Sequence, residues 1–202
     1  MTTAPWQHRY AVITELAKRY KDKEGRVLGK TALQKLVFFL QEVRGVELGY
    51  EYTLYTYGPF SSALAADLDV ANMMAVVDVK YDHDIGGYEI APTDQGLAIE
   101  RYSKQWLKSV NPHIEAVFDG FGAFQTRALE LRATIAYVAK DALVRQRPLT
   151  DDRLVSIVHE LKPHFDVDTI HAALEELREE GFLPEPTKAK PARSLIRRLT
   201  RR

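Results

Sequence analysis

The sequence predicts a mainly α-helical fold with a small antiparallel β-sheet, and three observations predict it. Apolar residues recur at helical spacing in several separate stretches, the clearest being Leu33, Leu36, Val37 and Leu40 at i, i+3, i+4 and i+7. Strand-like alternation is confined to short runs near 50–57, 76–81 and 88–91. Good N-cap residues, Ser61, Thr93, Thr150 and Asp166, stand just before helical stretches.

In chain order, 6–20 reads as a first helix with Ala11, Val12, Leu16 and Tyr20 on one face, and 21–26 as a charged loop. A second helix covers 30–43, with Gln34, Lys35, Gln41 and Glu42 mostly off its apolar stripe and Gly45 suited to a left-handed C-cap. Aromatics at 50, 52, 55 and 57 suit a strand, although the alternation slips between 52 and 55. Gly58-Pro59 is expected to end that strand in a turn, and Ser61 to cap a helix over 62–74. A hairpin follows over 76–91 with Gly86-Gly87 in its turn, then a helix from Thr93 to about 110.

The order helix, helix, helix, hairpin, helix is that of a winged-helix domain. A DNA-reading helix-turn-helix joins its two helices by a short turn, whereas here an expected strand and some eighteen residues (43–61) intervene. The first part is therefore winged-helix-like, 1–110. Asn111-Pro112 is expected to break the chain. A short helix at 114–118, a hinge at 120–122 and helices over 125–144, 151–161 and 167–180 then make a helical bundle packed on the first part, 111–183. The Pro-, Lys- and Arg-rich 184–202 reads as a flexible basic tail.

A length of 202 residues allows one sizeable domain or two small ones. With 46% hydrophobic and 28% charged residues the composition is that of a soluble globular chain rather than a disordered one. The absence of cysteine excludes disulfides, thiolate metal sites and Cys nucleophiles. No apolar run reaches membrane-spanning length and no signal-peptide layout is present, so no membrane partner and a cytoplasmic location are expected. The net charge of zero hides an asymmetry. Lys188, Lys190, Arg193, Arg197, Arg198, Arg201 and Arg202 lie in the tail without an acid, leaving 21 basic against 28 acidic residues in 1–186. A basic arm on an acidic body suits interaction through the arm.

Two segments carry a resemblance. TALQKLVFFLQ, 31–41, together with YGPFSSALAADL, 57–68, resembles the YwgA-like proteins of bacteria. More distantly the pair is similar to the Panacea, or SocA-like, antitoxin domain, which shares a Leu-Gln-Lys-Leu helix and a Tyr-Gly-Pro turn. The first resemblance implies a fold. The second implies an antitoxin that neutralises its toxin by contact, or an adaptor that delivers it to a protease. Phe60-Ser61 after the Gly-Pro is closer to the YwgA-like pattern.

The residues offer little catalytic chemistry. Asp82-His83-Asp84 are adjacent on a turn and do not converge on an ion, and no His-x3-His spacing accompanies them. His159, His164 and His171 lack a paired nucleophile. Asp67 and Asp69 diverge on a helix, and Asp67 is expected to pair with Lys30 or Lys35. Gly29-Lys30-Thr31 lacks the earlier glycine of a phosphate loop. The expectation is a non-enzyme with no cofactor and no metal.

Two binding functions remain. The first is a protein-binding module, antitoxin- or adaptor-like in a toxin–antitoxin or phage-defence setting, contacting its partner (or a second copy of itself) through Tyr55, Tyr57, Pro59, Phe60 and Ser61. The alternative is a winged-helix DNA-binding regulator using the seven basic tail residues. Charge opposes DNA at the winged helix itself. The helix 62–74 has Asp67 and Asp69 and no base, and the hairpin 76–91 has Asp78, Asp82, Asp84 and Glu89 against Lys80.

Overall fold

A computed structural model describes residues 4–83 and 86–183, and these divide between two compact units, Met1–Tyr137 and Val138–Arg202. The predicted mainly α fold with a small antiparallel sheet is what the chain forms.

The first unit is built around α1 (Trp6–Glu24), whose Tyr10, Ala11, Val12, Ile13, Leu16, Ala17 and Tyr20 are all buried. The charged 21–26 was expected as a loop. The helix instead runs to Glu24 and ends on Gly25 in the left-handed conformation, φ 59°. Next come β1 (Leu28–Gly29), α2 (Lys30–Phe38), a π-helical turn (Phe39–Val43), β2 (Thr53–Tyr55), β3 (Gly58–Phe60), α3 (Ser62–Met73), β4 (Val77–Asp82), β5 (Gly87–Pro92), α4 (Asp94–Tyr102) and α5 (Lys104–Phe121). One sheet has the order β1-β5-β4, with Leu28 opposite Ile90 and Val79 also opposite Ile90. It is the wing of a winged-helix arrangement. β2 and β3 form a separate hairpin inserted between α2 and α3.

Two expectations about proline are corrected. Gly58-Pro59 does not end a strand but opens β3. Lys35 donates to the Pro59 carbonyl from the side away from β2, so the missing N–H costs the β2–β3 ladder nothing. Asn111-Pro112 does not break the chain, because Pro112 lies inside α5. An interior proline costs a helix about 3 kcal/mol. Burial of Ile114, Val117, Phe118 and Phe121 on α5 offsets it, and Arg19 Nη2 holds Asn111 Oδ1 at 2.7 Å. The division expected after residue 110 falls inside this helix. Ser103 separates α4 from α5, and the two compact units meet at 137/138.

The core joins α1 to α4 and α5. Lys18 bridges Glu15 and Glu100, at 2.9 Å from the latter, and Arg19 Nε donates to Glu15 at 2.7 Å. Thr93 caps α4 by accepting from Gly96 N at 3.1 Å and donates to the carbonyl of Ala75 or Val76. Gly96 sits where no side chain fits: a Cβ there would stand 2.3 Å from Val76 O and 2.8 Å from Thr14 Oγ1.

α6 (Thr126–Val144) runs from the first unit into the second. In the second unit α7 (Asp151–Leu161) packs Leu154, Val155 and Val158 with Ile170, Ala173, Leu174 and Leu177 of α8 (Val167–Glu179). Thr150 and Asp166 cap these helices as predicted, and Gly181 adopts φ 70° beyond α8. Arg178 pairs with Asp151. His159 Nδ1 lies 2.8 Å from Phe165 O, an anchor of the inter-helix turn.

Two outcomes follow from this packing. Gly96→Ala must displace β4 or α1 and should cost about 3 kcal/mol, read as a lowered urea midpoint for the first unit. Tyr20 places a buried hydroxyl without a hydrogen-bond partner, and burial, against the opposing Arg26 charge, pushes it from 10.0 up to about 12. The folded state favours the protonated phenol. That contribution is complete below pH 10 and is lost as pH rises through 12. Tyr20→Phe should add about 1 kcal/mol at neutral pH and flatten the fall in urea midpoint across the alkaline window.

Candidate functional site

The hairpin β2–β3 and its flanks are held by side chains of α2 and of the π-helical turn that continues it. Gln34 brackets Ser61: its Nε2 donates to Ser61 O at 3.0 Å and its Oε1 accepts from Ser61 N at 2.9 Å. Gln41, about two turns further on, treats Tyr50 the same way. Its Nε2 donates to Tyr50 O at 2.6 Å and its Oε1 accepts from Tyr50 N at 2.8 Å. Between them Lys35 Nζ donates to Pro59 O at 2.8 Å. Each amide supplies one donor and one acceptor, which is what a neighbouring strand residue would supply. Gln34 and Lys35 were expected off the apolar stripe. They are instead buried, at 6% and 2% exposure, because the hairpin lies over them.

The turn itself needs its glycine. Gly58 has φ 87°, and a Cβ there would meet Thr134 Oγ1 at 3.2 Å and Lys35 Cε at 3.3 Å. Ser61 caps α3 by accepting from Leu64 N at 3.3 Å. The Leu-Gln-Lys-Leu helix and the Tyr-Gly-Pro-Phe-Ser turn are thus one constructed unit, and the side chains that join them are Gln34 and Lys35.

This unit, with Gln34, Lys35, Gly58 and Phe60, lines a pocket of about 420 Å³. Its walls are Leu33, Leu64, Ala65 and Leu68 with Phe60, and Tyr55 and Tyr57 stand at its edge with Lys30, Thr31 and Asp69. The Tyr55 and Phe60 rings are 5.4 Å apart, and Lys30 Nζ lies 3.5 Å from Asp69 Oδ1. Of the five residues expected to meet a partner, Tyr55 and Tyr57 are 63% and 66% exposed, and Phe60 is half-buried in the pocket wall. Pro59 and Ser61 are buried, and their backbone atoms hold the turn. The basic tail residues lie outside the described residues, as does Asp84.

Asp67 is corrected as well. It pairs with neither Lys30 nor Lys35 but with Arg9, 3.2 Å away, and accepts from Tyr50 Oη at 2.8 Å. The Arg9 guanidinium also lies over the Tyr50 ring, 5.7 Å from its centre. Burial, reinforced by the Asp67 charge, drives the Tyr50 hydroxyl far above the ordinary phenol range, so it stays a donor to Asp67 at any working pH. This cluster fixes the start of the hairpin to α1 and α3. Among the described residues no three His, Asp or Glu side chains converge so as to hold a metal ion, and no helix is long and apolar enough to cross a membrane.

The roles of Gln34 and Gln41 were missed from sequence, and a signal for them existed. The signal is two glutamines seven residues apart, Gln34 next to the Leu33–Leu36–Val37–Leu40 stripe and Gln41 just beyond it, before an aromatic hairpin. Compared with protein-family models and with curated proteins, the chain matches none.

Gln34→Leu removes both bonds to Ser61, leaving its buried N–H without a partner and its carbonyl with the Ala65 N–H alone. It should cost about 3 kcal/mol, measured as urea midpoint, and should speed amide hydrogen exchange at Ser61 and Leu64 more than at residues of α1.

Proposed function

We propose that this chain is a non-catalytic protein-binding module whose contact surface is the pocket at Tyr55, Tyr57 and Phe60. The observation that carries the reading is the pairing of exposed aromatics with a rigid support. Two tyrosines more than half exposed flank an apolar pocket whose backbone is locked by Gln34, Lys35 and Gly58. Aromatic side chains beside a preformed apolar pocket supply large contact area at low entropic cost, as at protein–protein interfaces. The resemblance of 31–41 and 57–68 to the YwgA-like and Panacea pattern falls on the same residues. It favours an antitoxin- or adaptor-like role, in a toxin–antitoxin or phage-defence setting.

The DNA-regulator alternative gains nothing from the winged helix. α3 stands in the recognition position, exposes Asp69, Val70 and Met73, and has no Lys or Arg. Phosphate contact draws much of its affinity from such cations.

A pull-down from the host under nuclease treatment separates the two readings. A stoichiometric protein should be retained by the wild type and by a chain lacking 187–202, and lost on Tyr57→Asp, a change at an exposed position costing about 2 kcal/mol of binding. Nucleic acid recovered without nuclease, lost with the tail and with no stoichiometric protein, would establish the regulator instead.

A further inference from the structure

The hairpin beside the pocket has one open hydrogen-bonding edge. In an antiparallel pair, residues alternate between exchanging both backbone bonds with the opposite strand and pointing both groups outward. Pro59 has no N–H, and its carbonyl is held by Lys35 on the side away from β2. Leu54, opposite Pro59, therefore points its own N–H and C=O outward, while Thr53 and Tyr55 face Phe60 and Gly58. The outer edge of β3 is filled by Lys35 at Pro59 and by Gln34 at Ser61. The outer edge of β2 is not: among the described residues the backbone of Leu54 meets no other partner, and β3 is the element β2 packs closely against. Thr53 and Tyr55 are exposed.

We propose that the partner binds as an added strand on β2, an extended segment with apolar side chains at alternate positions flanked by Lys or Arg. This deepens the protein-binding reading and rests on it. A strand laid about 4.8 Å from β2 places every second side chain on the face that Tyr55 and Phe60 share, next to Tyr55 at the pocket's edge. The pocket takes one such side chain, and Leu54 supplies the donor and the acceptor that set the register.

Charge selects the flanks. From 45 to 79 the chain has no Lys or Arg across 35 residues, and it has Glu47, Glu51, Asp67, Asp69 and Asp78. Asp67 is engaged by Arg9, but Glu51 is exposed just before β2, and Asp69 at the pocket rim has a side chain 70% exposed. Of the two lysines that line the pocket, Lys35 is buried and donates to Pro59, and Lys30 faces Asp69. Cationic flanks are attracted to such a surface and acidic ones repelled.

The test pans phage-displayed random peptides against the full chain, then synthesises the enriched sequences with backbone N-methyl groups in either alternating register. Enrichment of alternating apolar residues with Lys or Arg flanks is expected. Methylation in one register should weaken binding about tenfold or more and in the other leave it unchanged, and Tyr57→Asp should abolish binding. Helically spaced or acidic peptides, or equal effects of methylation in both registers, would overturn strand addition. If those peptides still depend on Tyr57, the protein-binding reading stands without it. Enrichment of no peptide, together with no partner in the pull-down, removes both.

Discussion

Two glutamine amides on one helix determine where the hairpin lies. Gln34 and Gln41 each present a donor and an acceptor to a single backbone residue, Ser61 and Tyr50, on either side of β2 and β3. The segment between them is therefore anchored at both ends by groups that cannot slide, since moving either end by one residue would break two hydrogen bonds, buried at Ser61 and part-buried at Tyr50. A polar side chain inside a core is costly unless satisfied. Here the nitrogen and the oxygen of each amide have a backbone partner, and the cost becomes positional specificity.

That constraint explains how a short hairpin stays beside a pocket rather than collapsing into it. β2 has three residues and exposes two of them. A free two-stranded hairpin is at best marginally stable in water. The hairpin is stable here because α2 provides a third, side-chain strand along β3. Leu33, Leu64 and Leu68 of α2 and α3, themselves buried, then form the apolar base of the pocket, with the exposed Tyr55 and Tyr57 beside them.

Local chemistry was legible from sequence, and long-range chemistry was not. Ser61, Thr93, Thr150 and Asp166 cap helices as expected, because an N-cap needs only its own side chain and a backbone N–H three residues on. Gly45 and Gly181 take left-handed φ for equally local reasons. The readings of Pro59 and Pro112 failed because each proline's local penalty is set against a remote group, Lys35 for one and the buried face of α5 for the other. Asp67 found Arg9, 58 positions earlier in the chain, and no spacing rule reaches that far. Tyr55, Tyr57 and Phe60 could be picked out as a cluster. That Pro59 and Ser61 face inward depends on which side of the strand α2 covers.

The π-helical turn at Phe39–Val43 makes this arrangement sensitive to chain length. A π turn is an α-helix that has absorbed one extra residue. Loss of a single residue there would restore a regular helix and swing everything after it by about 100° about the axis. Gln41 would leave Tyr50 when the residue lost precedes it. Substitution at these positions can be absorbed by neighbouring side chains, but a deletion cannot. The spacing between the two glutamines is thus under a tighter constraint than the identity of most residues between them.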